Sequence, residues 1–532
     1  MQEKPAAKTK KRLPLANVAF LLIATALIGQ VLGFLRTKLV NANFSATGPH
    51  STDAYFAAFN IPDFFFYTLA AGALGVAFMP ILAERLHKGD HKGMWELSNS
   101  LLNLLSMVML VVAIIIFVFA EPLISHIVAP NLSPQQLDNA STIMRLLALN
   151  PLFFTISGIL TSVQQTLGRF FFYAIAPLFY NLAIIASIYI FKDTGVGLVG
   201  LGIGAFVGGI LQLAVVCFGL IGTKFYWRPR ILWRSRDFRL ILRNLPPRSL
   251  DQGMDQIQSI VETNFARRLG EGNISYYNNA YILQTAPVLL LGTAISTAAF
   301  PRMNARLAQG RPDLFRSDFL RVLRVMIWIT LPVVIICYFT RGYLARLIFS
   351  RDSQEIALIF GFLTIAILFR TLYTIISRWF YAQKDTRTPL FVSVFTIGLN
   401  IILASWLARK STYGVAGLAL SQSIVAMTEV VVLFTIMLSR DHKLFDAKFW
   451  GGVLRIVSVS GFSLVTGFIM VSLYPLGVED RGFVTLGTKL AFIAGATFVT
   501  HIAVSGLFGL EEVRPIFKTA KRIITRPIRL PY

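Results

Sequence analysis

Fourteen apolar blocks, each about 20 residues long, follow one another along the chain, and that recurrence constrains the fold before any motif is read. A block of this length crosses about 30 Å of hydrocarbon at about 1.5 Å per helical residue. With no water in the bilayer core, each segment must satisfy its own backbone hydrogen bonds, so the blocks are read as helices. They lie near 15–38, 54–83, 98–120, 142–166, 171–192, 195–222, 246–268, 274–300, 319–340, 355–381, 388–408, 412–438, 449–474 and 483–509 of the 532 residues. Only 14% of the chain is charged and 55% is hydrophobic. Soluble chains carry about a quarter charged residues. A soluble multidomain protein is excluded, and an all-α polytopic membrane protein is expected.

The net charge of +24 follows the same logic. Connections after even-numbered spans hold Arg85, Lys88 and Lys92, then Arg169, then Arg302, Arg306 and Arg311, then Lys384 and Arg387, then Lys443 and Lys448. Basic residues in short loops stay on the cytoplasmic side, which puts both termini in the cytoplasm of a cell-membrane protein. Anionic membrane lipids are the expected partners of this charge, and nucleic acid is not. The opening MQEKPAAKTKKR leads straight into the first span with no small-residue cleavage site, so it is read as a cytoplasmic tail. Cys217 and Cys337 both sit in apolar runs, which leaves no metal site or disulfide framework.

Halfway along, KFYWRPRILWRSRDFRLILRNLPPR (Lys224–Arg248) interleaves arginines with apolar side chains. It is expected to lie as an amphipathic helix on the inner leaflet and to join two halves. Recruitment of a cytoplasmic partner is the alternative. The halves themselves show in a repeat, since 164–187 resembles 382–405 in running from Gln and a basic turn to Asn and an apolar span. Such repeats build transporters. Glycines such as Gly200, Gly204, Gly208 and Gly209 fit close helix packing.

Enzyme signatures are missing: there is no HExxH, Walker A loop or GxSxG. No cofactor is expected, and a transporter driven by Na⁺, H⁺ or substrate gradients fits better. The candidate site residues are polar groups inside spans, where each is costly unless it faces water or a partner. Gln30, Arg36, Asp53, Asn60 and Asp63 fall in or beside the first two spans. Arg36 and Asp53 flank one loop, so they suit either a mutual salt bridge or substrate contact. Arg370 lies near the middle of the tenth span, where it is either an ion pair between helices or an anion clamp. Arg145 lies inside the fourth span. Glu429 and Lys489 are also intramembrane. Asp251, Asp255, Gln258 and Glu262 recur at spacings of three to four in the seventh span and share one face, fit to line a cavity or bind a cation. Pro62, Pro151 and Pro287 interrupt apolar helices, as they do where spans line cavities.

VLGFLRTKLV, TDAYFAAFNIPDFF, GALGVAFMPILAE and YAQKDTRTP, with the fourteen-span layout, resemble the MurJ (MviN) lipid II flippase family of the multidrug/oligosaccharidyl-lipid/polysaccharide exporter superfamily. The resemblance implies two pseudo-symmetric six-helix lobes, 15–222 and 246–440, flanking a basic linker at 223–245. Transmembrane helices 13 and 14 (441–510) would form a groove for a lipid tail, between basic ends at 1–14 and 511–532. It implies alternating access around a central cationic cavity that carries an undecaprenyl-pyrophosphate-linked peptidoglycan precursor outward for cell-wall synthesis, with wall-synthesis proteins as partners. Substrate contact would fall to Gln30, Arg36, Asp53, Asp63, Arg145 and Arg370. Cation coupling would fall to Glu262 and Asn400, with Asp255 on the same polar face. The family pattern expects arginine where Gln30, Phe66 and Ile282 stand and an acid at Ala71, so the cationic role shifts toward Arg370. The alternatives are a flippase for another polyprenyl-pyrophosphate-linked glycan, a cation-coupled drug antiporter, and a membrane scaffold.

Overall fold

A computed structural model describes residues 15–71, 78–223, 225–349 and 351–514. The backbone divides into two compact units, Met1–Asn264 and Phe265–Tyr532, and each is treated by itself. The division falls inside the seventh span.

The first unit holds α1 (Leu15–Asn43), α2 (Thr52–Phe66), α3 (Met79–His87), α4 (His91–Pro122), α5 (Pro134–Leu147), α6 (Asn150–Thr166), α7 (Phe171–Phe191), α8 (Val199–Phe218) and most of α9 (Arg236–Leu269). Local chemistry sets many of the ends. Asp90 accepts from the Gly93 N–H to start α4, and Ser133 with Gln136 forms a reciprocal capping box at α5. The close α7–α8 pair depends on glycine, since a Cβ at Gly204 would lie 2.1 Å from Ser187 Oγ. A buried cluster that includes Phe78, Met94, Leu101, Ile159 and Phe238 joins α4, α6 and the start of α9.

The second unit continues with α10 (Asn273–Pro287), α11 (Ala294–Ala308), α12 (Pro312–Phe339), α13 (Arg341–Ile348), α14 (Ser353–Ala382), α15 (Arg387–Leu407), α16 (Val415–Arg440), α17 (Ala447–Leu473) and α18 (Phe483–Leu507). Its main core gathers Phe319, Leu323, Ile375, Phe380 and Leu433 from α12, α14 and α16. The last two helices pair and are pinned to α12 through a buried polar staple. His501 contacts Ser463 Oγ at 2.9 Å and the Trp328 carbonyl at 3.0 Å, and Trp328 Nε1 donates to Ser505 at 2.9 Å. Lys489 also has a partner: it donates to Asp480 at 2.6 Å.

Among the described residues twelve helices are long and apolar enough to cross a membrane. The other two expected spans fail that test for identifiable reasons. The second runs through residues 72–77, which lie outside the described residues, and the seventh (α9) is too polar along its length. Proline shapes the path where the sequence suggested breaks. Pro62 sits inside α2, Pro151 opens α6, and Pro287 ends α10 before a π-helical turn, Val288–Thr293. A second π-helical turn, Tyr67–Ala71, follows α2.

The basic connection departs from expectation. Residues 225–232 form no helix; they run as an extended strap along α4, and the helix starts only at Arg236. Asn99 donates to the Tyr226 carbonyl at 3.0 Å and accepts from the Arg228 N–H at 3.2 Å. Asn103 donates to the Arg228 carbonyl at 2.6 Å and accepts from Trp227 Nε1 at 2.8 Å, while Ser100 accepts from the Leu232 N–H at 3.1 Å. These side chains satisfy the backbone groups that a helix would have paired internally. The helical reading of Lys224–Arg248 therefore gives way to a clamped strap over residues 225–232, while its second half, from Arg236, is helical as part of α9; Lys224 itself lies outside the described residues.

Candidate functional site

The candidate residues sort into two kinds: polar groups already saturated by partners, and polar groups left open. Arg370 is of the first kind. From α14 it reaches Glu429 Oε2 on α16 at 3.3 Å and Gln422 Oε1 at 2.9 Å. Ser393 on α15 donates to the other Glu429 oxygen at 2.9 Å, and Glu429 is 3% exposed. One network thus ties three helices of the second unit. Asn400, buried two turns further along α15, accepts from Ser421 at 2.9 Å.

The polar face of α9 is also engaged. Gln258 donates to Glu262 at 3.0 Å, and both are buried. Asn60 on α2 accepts from Ser259 at 3.2 Å, and Thr263 lies beside it. Asp255 on the same helix is exposed, and the side chain of Asp251 lies outside the described residues. Close approach continues toward the π-helical turn, where a Cβ on Gly253 would meet Thr68 Oγ1 at 2.5 Å.

Arg36 is of the second kind. It is half-buried on α1, and among the described residues no carboxylate oxygen comes within 4 Å of it. The salt bridge with Asp53 that the sequence allowed is not formed. Asp53 is fully buried in the first turn of α2, its N–H held by the Ser51 hydroxyl at 3.1 Å. Asp63, at the far end of α2, lies within electrostatic reach of Arg36, as does the Tyr55 hydroxyl. Tyr180 from α7 joins the same electrostatic group, and so does Tyr67 through Asp63. Beside Asp63 lies a pocket of about 10 Å³, at the lower limit for holding one water, lined also by Tyr180 and by Asn150, whose Oδ1 is buried without a partner among the described residues. Gln30 is half-buried on α1. Arg145 sits elsewhere on the unit, in an apolar groove, and makes no ion pair with this group.

Sequence reading did not single out Tyr55, Tyr180 or Asn150. Tyr55 had a usable signal, because it precedes Asp63 by two helical turns and so shares its face. Tyr180 and Asn150 come from other helices, and only tertiary packing brings them in.

The family model described as "Lipid II flippase MurJ" matches residues 47–481. The chain belongs to the MurJ lipid II flippase family. Among curated relatives, the "Probable lipid II flippase MurJ" of Borreliella burgdorferi is 24% identical over 510 residues, covering 94% of this chain and 98% of that protein. The "Lipid II flippase MurJ" of Burkholderia cenocepacia is 26% identical over 423 residues, covering 77% and 81%. A solved lipid II flippase MurJ in an inward closed conformation superposes with a TM-score of 0.75 at 22% identity, over 92% of this chain and 98% of that one. An inward-facing multidrug resistance MATE family transporter of the MOP superfamily reaches 0.67 at 18% identity, over 80% of this chain and 98% of that one. These two likenesses establish the fold.

Proposed function

We infer that this multi-pass membrane protein is a lipid II flippase and a transporter without enzymatic chemistry. What carries the reading is the family match over residues 47–481. The substrate it implies is a lipid-linked glycan with a pyrophosphate, which needs a cation to receive it. Arg36 suits that role, because its guanidinium offers several donors in a fixed fork that fits phosphate oxygens. An unpaired charge within a span is costly to keep, and substrate binding would offset that cost. Asp63, close but not in contact, would hold Arg36 oriented when no anion is present and yield it when one arrives.

Arg370 takes a different role, since its fork is already occupied by Glu429 and Gln422. It acts as a positioning residue that keeps α14 and α16 together. Alternating access, with both termini cytoplasmic and transfer toward the outer leaflet, completes the proposal. Its support is the basic character of one set of connections. Glu262 and Asn400 remain the proposed cation-coupling residues, and the apolar faces of α17 and α18, where Phe468 is 61% exposed, are proposed to meet the lipid tail.

The test is transfer of labelled lipid II across vesicles containing the purified chain. Arg36→Gln is expected to slow transfer by about a hundredfold, the loss of two charge-assisted hydrogen bonds. Asp63→Asn is expected to weaken it less, since the donor survives. Wild-type transfer by Arg36→Gln would remove Arg36 from the site.

A further inference from the structure

The fourth span is broken, and the break opens a second feature on the face turned away from Asp63. α5 ends at Leu147 and α6 begins at Asn150, so the helical hydrogen-bond ladder is interrupted at Ala148 and Leu149 ahead of Pro151, although both residues keep right-handed helical backbone angles. A proline at this position removes one helical donor and leaves a weak point in the span. The interruption lines a groove of 390 Å³ formed by Leu110, Ile114 and Phe117 of α4, Phe206 of α8, and Arg145 and Leu149 at the break. Ile114 and Phe117 are each 56% exposed, so the groove opens onto the lipid-facing surface of the unit.

Arg145 is the one charge in this groove. Among the described residues no carboxylate lies within 4 Å of it, and its backbone carbonyl accepts from the Ala148 N–H at 3.3 Å. It lies about 16 Å along α5 from Pro134. Helical side chains lean toward their helix N-terminus, so the guanidinium reaches back toward the Pro134 end of the span. That is the end where α4 also approaches the boundary, with Phe117 one turn before Glu121. An arginine so placed has an apolar wall around it and, among the described residues, no carboxylate within 4 Å to neutralise it.

We propose that this groove is a binding site for an acidic phospholipid, its phosphate on Arg145 and one acyl chain along Leu110, Ile114 and Phe117. The lipid neutralises the guanidinium and fills the groove beside the interrupted span. The chemistry required is one anionic head group joined to one long apolar chain, which matches the single cation and the otherwise apolar lining. Bulk lipid is favoured over the transported cargo because the groove opens on the exposed face of α4.

The test uses the full-length chain reconstituted in phosphatidylcholine vesicles that contain a small fraction of photoactivatable phosphatidylglycerol. Crosslinks are expected in the peptides covering 110–117 and 145–149. Arg145→Gln should reduce that labelling by about tenfold, the loss of one charge-assisted contact, while Arg145→Lys should keep most of it. Equal labelling of wild type and Arg145→Gln would overturn the proposal. So would equal labelling of wild type by a photoactivatable phosphatidylcholine, which would mean an acyl chain without head-group recognition. Displacement of phosphatidylglycerol by a photoactivatable polyprenyl phosphate would assign the groove to cargo instead. If Arg145→Gln does not reconstitute, the competition between the three probes on wild type decides the matter.

Discussion

Two arginines with the same cost in hydrocarbon do opposite work here, and their neighbours decide which. Arg370 and Glu429 cancel one another, and removing one partner leaves the other buried and uncompensated, at a cost of about 3–5 kcal/mol. Arg370→Ala should therefore lower thermal stability sharply in detergent, and Arg370→Met with Glu429→Leu should restore most of it. A single variant as stable as wild type would show that the pair does not hold α14 to α16. Among the described residues Arg36 has no such salt-bridge partner, so Arg36→Gln should leave the melting temperature near that of wild type while transport falls. The sequence alone could mark both arginines as costly. It could not separate them, because Glu429 is 59 residues from Arg370 along the chain and meets it only through helix packing.

At the level of elements, the YAQKDTRTP stretch turns out to be a helix start. Asp385 accepts from the Arg387 and Thr388 N–H groups at 3.0 Å each, from the Thr388 hydroxyl at 2.6 Å and from Arg440 at 2.6 Å. Burial works against its charge, but hydrogen bonds from Thr388 and Arg440 outweigh it and hold the carboxyl at about 2. A carboxyl depressed in the folded state stabilises fully above its unfolded value of about 4 and loses that contribution as pH falls toward 2. Asp385→Asn should thus melt earlier than wild type at pH 7, and the gap should close between about pH 4 and pH 2. A gap that stays constant with pH would rule out the charge as its cause. The strap at 225–232 makes its own forecast. Asn99→Ala with Asn103→Ala removes its clamps, so proteolysis or hydrogen exchange there should accelerate while α4 stays protected. Elements were legible in proportion to how locally they are determined. Apolar length gave the long helices, and Pro151 marked the break in the fourth span. The Ser133–Gln136 capping box opens α5 at Pro134, ahead of the apolar block at 142, a start that apolar length alone did not mark. The strap was illegible, since its conformation is imposed by side chains about 125 residues away.

On the scale of the whole molecule, membership of the MurJ family accounts for the span layout. Among the described residues of the first unit, Arg36 is a half-buried cation within a span with no carboxylate in salt-bridge contact, and Asp63 and Tyr55 lie within its electrostatic reach. The central claim, that this chain moves lipid II, is tested most directly in cells depleted of their own lipid II flippase. The measurement is the fraction of lipid II reached from outside by an impermeant head-group reagent after this chain is expressed. Exposure and growth are both expected to return with the wild-type chain, and neither with Arg36→Gln at equal membrane abundance. Lipid II that stays inaccessible while the wild-type chain is present and folded would contradict that claim.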